Sequence, residues 1–260
     1  MDVLDYIKKK RRECALHFTL IDPDKQTPDQ ALELAKKAKS YGTDAIMVGG
    51  TWGDAYGEKL NQTVNKIRDG TGLPVILFPN SAQQLSPEAD SVFFMSLLNS
   101  RSPQYLIGEQ AKGSLLIKKY GIEPLSMAYL IVESGSTTSA AWSGDVNPIP
   151  REKPEFAAGF ALAAKYFGMR FIYLEAGSGA QYPVPPEMIA TVKKSVGPET
   201  LVIVGGGIRD VQTAKERVEA GADIIVTGTI AEDDSEKLKE IIGAIKGVKN
   251  TISGFLKNSE

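Results

Sequence analysis

Residues Leu201 to Ile230 read LVIVGGGIRDVQTAKERVEAGADIIVTGTI. The apolar run Leu201 to Val204 ends in Gly205, Gly206 and Gly207, and an amphipathic segment covers Asp210 to Ala220. A second apolar run, Ile224 to Val226, then closes on Thr227, Gly228 and Thr229. Short apolar runs flanking an amphipathic segment describe two buried parallel strands joined by a helix. Both strands end where the side chains shrink, so backbone N–H groups can approach an anion closely. Loops after strands 7 and 8 form the common phosphate site of eight-stranded β/α barrels. The stretch therefore predicts strands 7 and 8 of a (β/α)8 barrel that holds a phosphate. Glycines at strand ends also serve plain turns, and nothing in this stretch names the molecule carrying the phosphate.

Working outward, the same alternation recurs along the chain. Ala15 to Ile21 predicts strand 1, followed by Asp22-Pro23-Asp24-Lys25. Thr27 is placed to cap a helix with Pro28 at its first position, and Gly42 ends it. Strand 2 is Ala45 to Val48, closing on Gly49-Gly50-Thr51, and a helix near Glu58 to Arg68 leads to strand 3, Pro74 to Phe78. Only Pro79 to Asp90 separates this from strand 4, Ser91 to Met95, with no helical period. The helix after strand 3 is expected to be missing or much reduced, leaving a gap that could admit a long apolar ligand. A helix over Pro103 to Tyr120 and strand 5, Leu125 to Val132, follow; Glu133 to Pro150 is a polar loop suited to a lid. The next helix spans Pro154 to Phe167; strand 6, Phe171 to Leu174, runs into Glu175-Ala176-Gly177-Ser178-Gly179. Further helices begin at Pro186 and fill Asp234 to Ile245. Residues 1–260 read as one barrel domain, close to the usual barrel length of about 250 residues.

Composition narrows the function. With 30 basic and 32 acidic residues the chain has no general attraction to nucleic acid or anionic membrane. No apolar run is long enough for a transmembrane segment, and a cytoplasmic location is expected. The single cysteine, Cys14, reads as a packing residue, and the lone His17 falls within strand 1, so zinc is not expected. Functional groups of such barrels sit at the C-terminal strand ends. Here these are Asp22, Asp24, Thr51, Glu175 and Ser178, oxygen donors that suit a hard cation such as Mg²⁺ sharing a substrate's phosphates. Each has a plainer alternative: the two aspartates as a turn and helix-start charges, Glu175 as an ion-pair partner, Tyr173 as barrel filling.

HFTLIDPDK, DAIMVGGT, FFMSLLNS, YLEAGSGA, VGGGI and VTGT together resemble the geranylgeranylglyceryl phosphate synthase family of prenyltransferases, in order and over nearly the whole chain. The resemblance implies transfer of a geranylgeranyl group from its diphosphate to the C3 hydroxyl of sn-glycerol 1-phosphate, with Mg²⁺, in archaeal-type ether-lipid synthesis. It implies Mg²⁺ at Asp22 and Thr51, and glycerol phosphate at Tyr173, Leu174, Glu175, Ala176, Gly177, Ser178 and Gly179, at Gly206 and Gly207, and at Gly228 and Thr229. It also implies a barrel lacking the helix after strand 3. One subgroup carries a lysine two residues before the Mg²⁺ aspartate; here that position is Leu20, so its role is not carried over. On this reading Asp22 and Glu175 are the catalytic pair, with Glu175 taking the proton of the attacking hydroxyl. The gap toward Phe93, Phe94 and Tyr105 is the expected prenyl groove. A longer-tailed heptaprenylglyceryl phosphate synthase stays open, as do a sugar-phosphate isomerase-type barrel, a flavin-binding barrel and a non-catalytic phosphate binder. A homo-oligomer is expected on general grounds.

Overall fold

Eight parallel strands close into a barrel in sequence order in the computed structural model, which describes residues 2–51, 53 and 56–248. The strands are β1 (Leu16–Ile21), β2 (Ala45–Val48), β3 (Val75–Leu77), β4 (Ser91–Leu97), β5 (Glu123–Ile131), β6 (Phe171–Glu175), β7 (Leu201–Gly205) and β8 (Ile224–Thr227). Around them run α1 (Val3–Arg11), α2 (Pro28–Tyr41), α3 (Gly57–Thr71), α4 (Glu109–Tyr120), α5 (Ser139–Ser143), α6 (Pro154–Tyr166), α7 (Pro186–Val196), α8 (Val211–Glu219), α9 (Thr229–Asp233) and α10 (Ser235–Gly247). No helix stands between β3 and β4, as the proline-broken stretch predicts.

Alternation along each strand sorts side chains inward and outward. Leu16, Phe18, Phe93, Met127, Tyr173 and Ile203 fill the barrel interior, while Ile172, Leu174 and Val204 pack outward against the helices. Thr27 caps α2 as expected, through a capping box with Gln30.

Three elements depart from the sequence expectation. Ahead of β1, where no element was expected, stands α1, whose Val3 and Ile7 insert into the barrel interior from the end opposite the glycine loops. Glu123 accepts the backbone N–H groups of Val3 and Leu4, satisfying donors at its N-terminus. The loop 133–150 holds the short α5, and Asn99 donates to the carbonyls of Ile131 and Asn147, fastening that loop to the barrel. Five residues after β8 form α9, where only a Gly-Thr loop was foreseen.

Candidate active site

At the C-terminal ends of β6, β7 and β8 lies a polar cavity of about 840 Å³, its open mouth included. Tyr173 and Glu175, two apart on β6, face it together; Ser178, Gly179, Gly206, Gly207, Gly228 and Thr229 complete the part foreseen in the sequence. The Ser178 and Thr229 hydroxyls lie 3.2 Å apart and join the first and last loops. Leu174 and Ala176 turn their side chains outward among helix residues, and Gly177 carries no side chain. From these three positions only backbone can serve a ligand.

Glu175 is buried, and its Oε1 accepts the Gly177 N–H at 2.5 Å. Gly206 passes directly against this carboxylate with φ of +82°; a Cβ there would lie 2.4 Å from Glu175 Oε1. Glycine is thus required twice over, by the left-handed backbone and by the close approach. Burial raises the Glu175 pKa, opposed by hydrogen bonds from the Tyr173 hydroxyl and the Gly177 N–H. The same burial, reinforced by the nearby Glu175 charge, lifts both Tyr173 and Tyr129 well above the ordinary phenol value.

A second, apolar cleft of about 970 Å³, mouth included, opens at β3 and β4. Phe78, Phe93, Phe94, Met95, Tyr105 and Tyr129 line it, with Gly113 and Ile117 from α4. This is where the gap and the residues Phe93, Phe94 and Tyr105 were expected. A π-helical turn, Gln104–Gly108, leads into α4 and carries Tyr105 to the cleft. Leu20 lines both cavities and forms a wall between them. Rings bridge them as well: Phe78 and Tyr129 on the cleft side stand 5.7 and 5.2 Å from Tyr173 on the polar side, centroid to centroid.

Asp22 and Thr51 follow the paired strands β1 and β2, and Asp22 lines neither cavity. Asp22 is half-buried; its Oδ1 accepts the Asp24 N–H at 3.0 Å. A Cβ on Gly50 would lie 2.5 Å from that same Oδ1, so glycine makes room for the carboxylate beside Thr51. Desolvation raises the Asp22 pKa despite the Asp24 N–H and the charges of Lys25 and Lys59. Thr51 lines the apolar cleft, and its carbonyl accepts from Asn80 at 2.8 Å.

Sequence reasoning missed Arg209, Asp233 and Lys237, which line the polar cavity. They look like loop and helix-surface charges, and only their positions four to ten residues after the β7 and β8 ends could have flagged them. His17 was placed correctly within β1, but not its partners. It is buried, with Nδ1 2.9 Å from the Thr43 hydroxyl and Nε2 2.9 Å from the Thr227 hydroxyl. Burial, then the Lys246 charge, lowers its pKa to about 3.

These features define a class: β/α barrels whose strand ends join a glycine-walled polar cavity, floored by a buried carboxylate, to an apolar cleft. The chain belongs to the PcrB family, whose model matches residues 5–246. It is 52% identical over 247 residues to the geranylgeranylglyceryl phosphate synthase of Thermococcus gammatolerans, covering 93% of this chain and 96% of that one. Against the enzyme of the same name from Methanosarcina acetivorans it is 56% identical over 234 residues, covering 89% and 93%. Among solved structures, it is similar to (S)-3-O-geranylgeranylglyceryl phosphate synthase from Thermoplasma acidophilum in complex with substrate sn-glycerol-1-phosphate. There the TM-score is 0.90 at 42% identity, over 95% of this chain and 100% of that one. Orotidine 5′-phosphate decarboxylase from Pyrococcus horikoshii shares the fold alone, with a TM-score of 0.57 at 18% identity. No helix among the described residues is long and apolar enough to cross a membrane.

Proposed function

We propose that this chain is a geranylgeranylglyceryl phosphate synthase: it joins the geranylgeranyl group of its diphosphate to the C3 hydroxyl of sn-glycerol 1-phosphate and releases diphosphate. One observation carries the reading. A polar cavity walled by backbone and an apolar cleft lined by aromatic side chains share Leu20 as their partition, with Glu175 facing the polar side.

Glycerol phosphate sits in the polar cavity. Its phosphate takes N–H groups from the loops carrying Gly206, Gly207, Gly228 and Thr229, and its glycerol end lies toward Tyr173 and Glu175. The prenyl tail fills the cleft along Phe78, Phe93 and Tyr105, with its diphosphate toward Thr51 and the Asp22 carboxylate that packs against neighbouring Gly50. The C3 oxygen forms a bond to prenyl C1 as the C1–oxygen bond to diphosphate breaks, and the C3 hydroxyl proton passes to Glu175. Burial suits Glu175 to that task, because a raised pKa makes its carboxylate a stronger base. Fixing both partners across one partition converts an encounter of two molecules into a reaction within one complex.

The Asp22 and Thr51 oxygens fit Mg²⁺. The carboxylate loses stability on burial, a penalty that a bound cation would reverse, and Gly50 leaves space beside it. Among the described residues there is no group of three acidic, His or Cys side chains shaped for a metal. An ion held here would draw its other ligands from water and substrate phosphate, the habit of Mg²⁺. When bound, Mg²⁺ supplies charge neutralisation to the departing diphosphate. We place the enzyme in the cytoplasm, assembled as a homo-oligomer, as is usual for soluble barrels.

The test is a transfer assay with radiolabelled sn-glycerol 1-phosphate and geranylgeranyl, farnesylgeranyl or heptaprenyl diphosphate, with Mg²⁺ or EDTA. Label should enter the organic phase only with Mg²⁺, and fastest with geranylgeranyl diphosphate. Preference for the heptaprenyl donor would reassign the chain length. No transfer with any donor, from folded protein, would defeat the reading.

A further inference from the structure

The acceptor proposed above brings a phosphate of charge about −1.5 to −2 into a cavity that already holds Glu175 and Asp233. Backbone dipoles alone would have to offset three acidic groups in one place. Among the described residues lining the cavity, the cationic side chains are Arg209 and Lys237; Leu20, on the partition, adds no charge.

The two cations are placed differently. Arg209 follows β7, and its Nη2 donates to the carbonyls of Gly179 and Ala180 at 3.0 and 2.9 Å, so that the guanidinium ties the β6 loop to the β7 loop. Lys237 stands half-buried in the first turn of α10. Among the described residues its ammonium has no hydrogen-bond or salt-bridge partner. Asp210 feels its charge from nearby, but both Asp210 oxygens are engaged by Thr213, through its N–H at 2.7 Å and its hydroxyl at 2.9 Å. A lysine that lines a cavity with all three donors uncommitted is suited to a tetrahedral anion, which accepts from any side.

We propose that Lys237 is the side-chain counter-charge for the acceptor's phosphate, delivered from α10 into the cavity that Leu20 also borders, with Arg209 as the strut that holds the β6 loop in place. This rests on the glycerol phosphate reading and adds a binding residue to it.

Calorimetric titration with sn-glycerol 1-phosphate, together with KM measurements for both substrates, tests the assignment. Lys237→Met should weaken glycerol phosphate binding about tenfold and raise its KM by the same factor, as expected for one partly exposed charge-assisted contact. Lys237→Arg should stay within about threefold of the unaltered chain. The KM for geranylgeranyl diphosphate should move less than twofold in either variant. Because Leu20 borders the same cavity, Leu20→Lys placed in the Lys237→Met background should recover at least half of the lost binding. Unchanged glycerol phosphate affinity in Lys237→Met would overturn the proposal, as would an equal rise in KM for both substrates. Failure of the unaltered chain to bind glycerol phosphate at all would instead defeat the reading beneath it.

Discussion

The two sides of the barrel mouth recognise by opposite means. At β6 to β8, glycines strip side chains away until backbone N–H groups face the cavity beside a few charged side chains, Glu175 among them. At β3 and β4, a missing helix uncovers aromatic and aliphatic side chains, and the cleft is built from what the barrel would normally hide. An anion needs directed donors in fixed places. A hydrocarbon chain needs only area removed from water, at about 25 cal/mol per Å². The contrast teaches that one fold can host both by deletion: of side chains on one side, of a helix on the other.

If Glu175 alone does chemistry on the polar side, its replacement should separate chemistry from binding. Glu175→Gln should lower kcat by about a hundredfold or more, with glycerol phosphate affinity within about threefold. An equal loss of both would mean that Glu175 merely holds the acceptor. The apolar side should break independently. Gly113 faces the cleft from α4, and a Cβ there meets Leu85 and Ala82 at ordinary distances, 3.5 and 3.7 Å, so a small side chain fits and a longer one intrudes. Gly113→Leu should raise the KM for geranylgeranyl diphosphate about tenfold and leave glycerol phosphate binding unchanged. Disturbed acceptor binding in that variant would show that the two cavities are not separable.

A separate effect, on stability rather than turnover, concerns what holds the polar side together. His17 grips the Thr227 hydroxyl at the end of β8 while buried and neutral. Its pKa is about 3 when folded, against an ordinary value of about 6.5 when unfolded, so its contribution to stability is present above pH 6.5. It is lost as pH falls from 6.5 toward 3, at about 1.4 kcal/mol per pH unit, because the unfolded chain binds the extra proton. Urea unfolding of His17→Gln between pH 6.5 and 4 should therefore show a shallower decline than the unaltered chain. Parallel declines would exclude His17 as a source of acid sensitivity.

Much of this is legible in the sequence. VGGGI and VTGT follow buried runs, and Pro79 and Pro87 interrupt the one stretch where a helix is absent. Period two along β6 puts Tyr173 and Glu175 on one face, and the same rule turns Leu174 and Ala176 away; a contiguous motif conceals that parity. α1 escaped notice because its buried residues, Val3 and Ile7, are few among lysines. Arg209, in the loop before α8, and Lys237, in the first turn of α10, escaped because a charge there looks the same whether it faces solvent or a cavity.

The shortest ladder in the barrel is the one that flanks the apolar cleft. β3 and β4 share two registered pairs, Ile76 with Ser91 and Leu77 with Val92, whereas β4 and β5 share seven. A closed sheet is only as tight as its least-stitched seam, and local opening there has the lowest free-energy cost. Amide protons along Val75 to Leu77 should exchange sooner than those of β5. Threading a stiff, water-averse chain past a rigid wall would be slow. In this barrel the wall that must yield is the one with the fewest rungs.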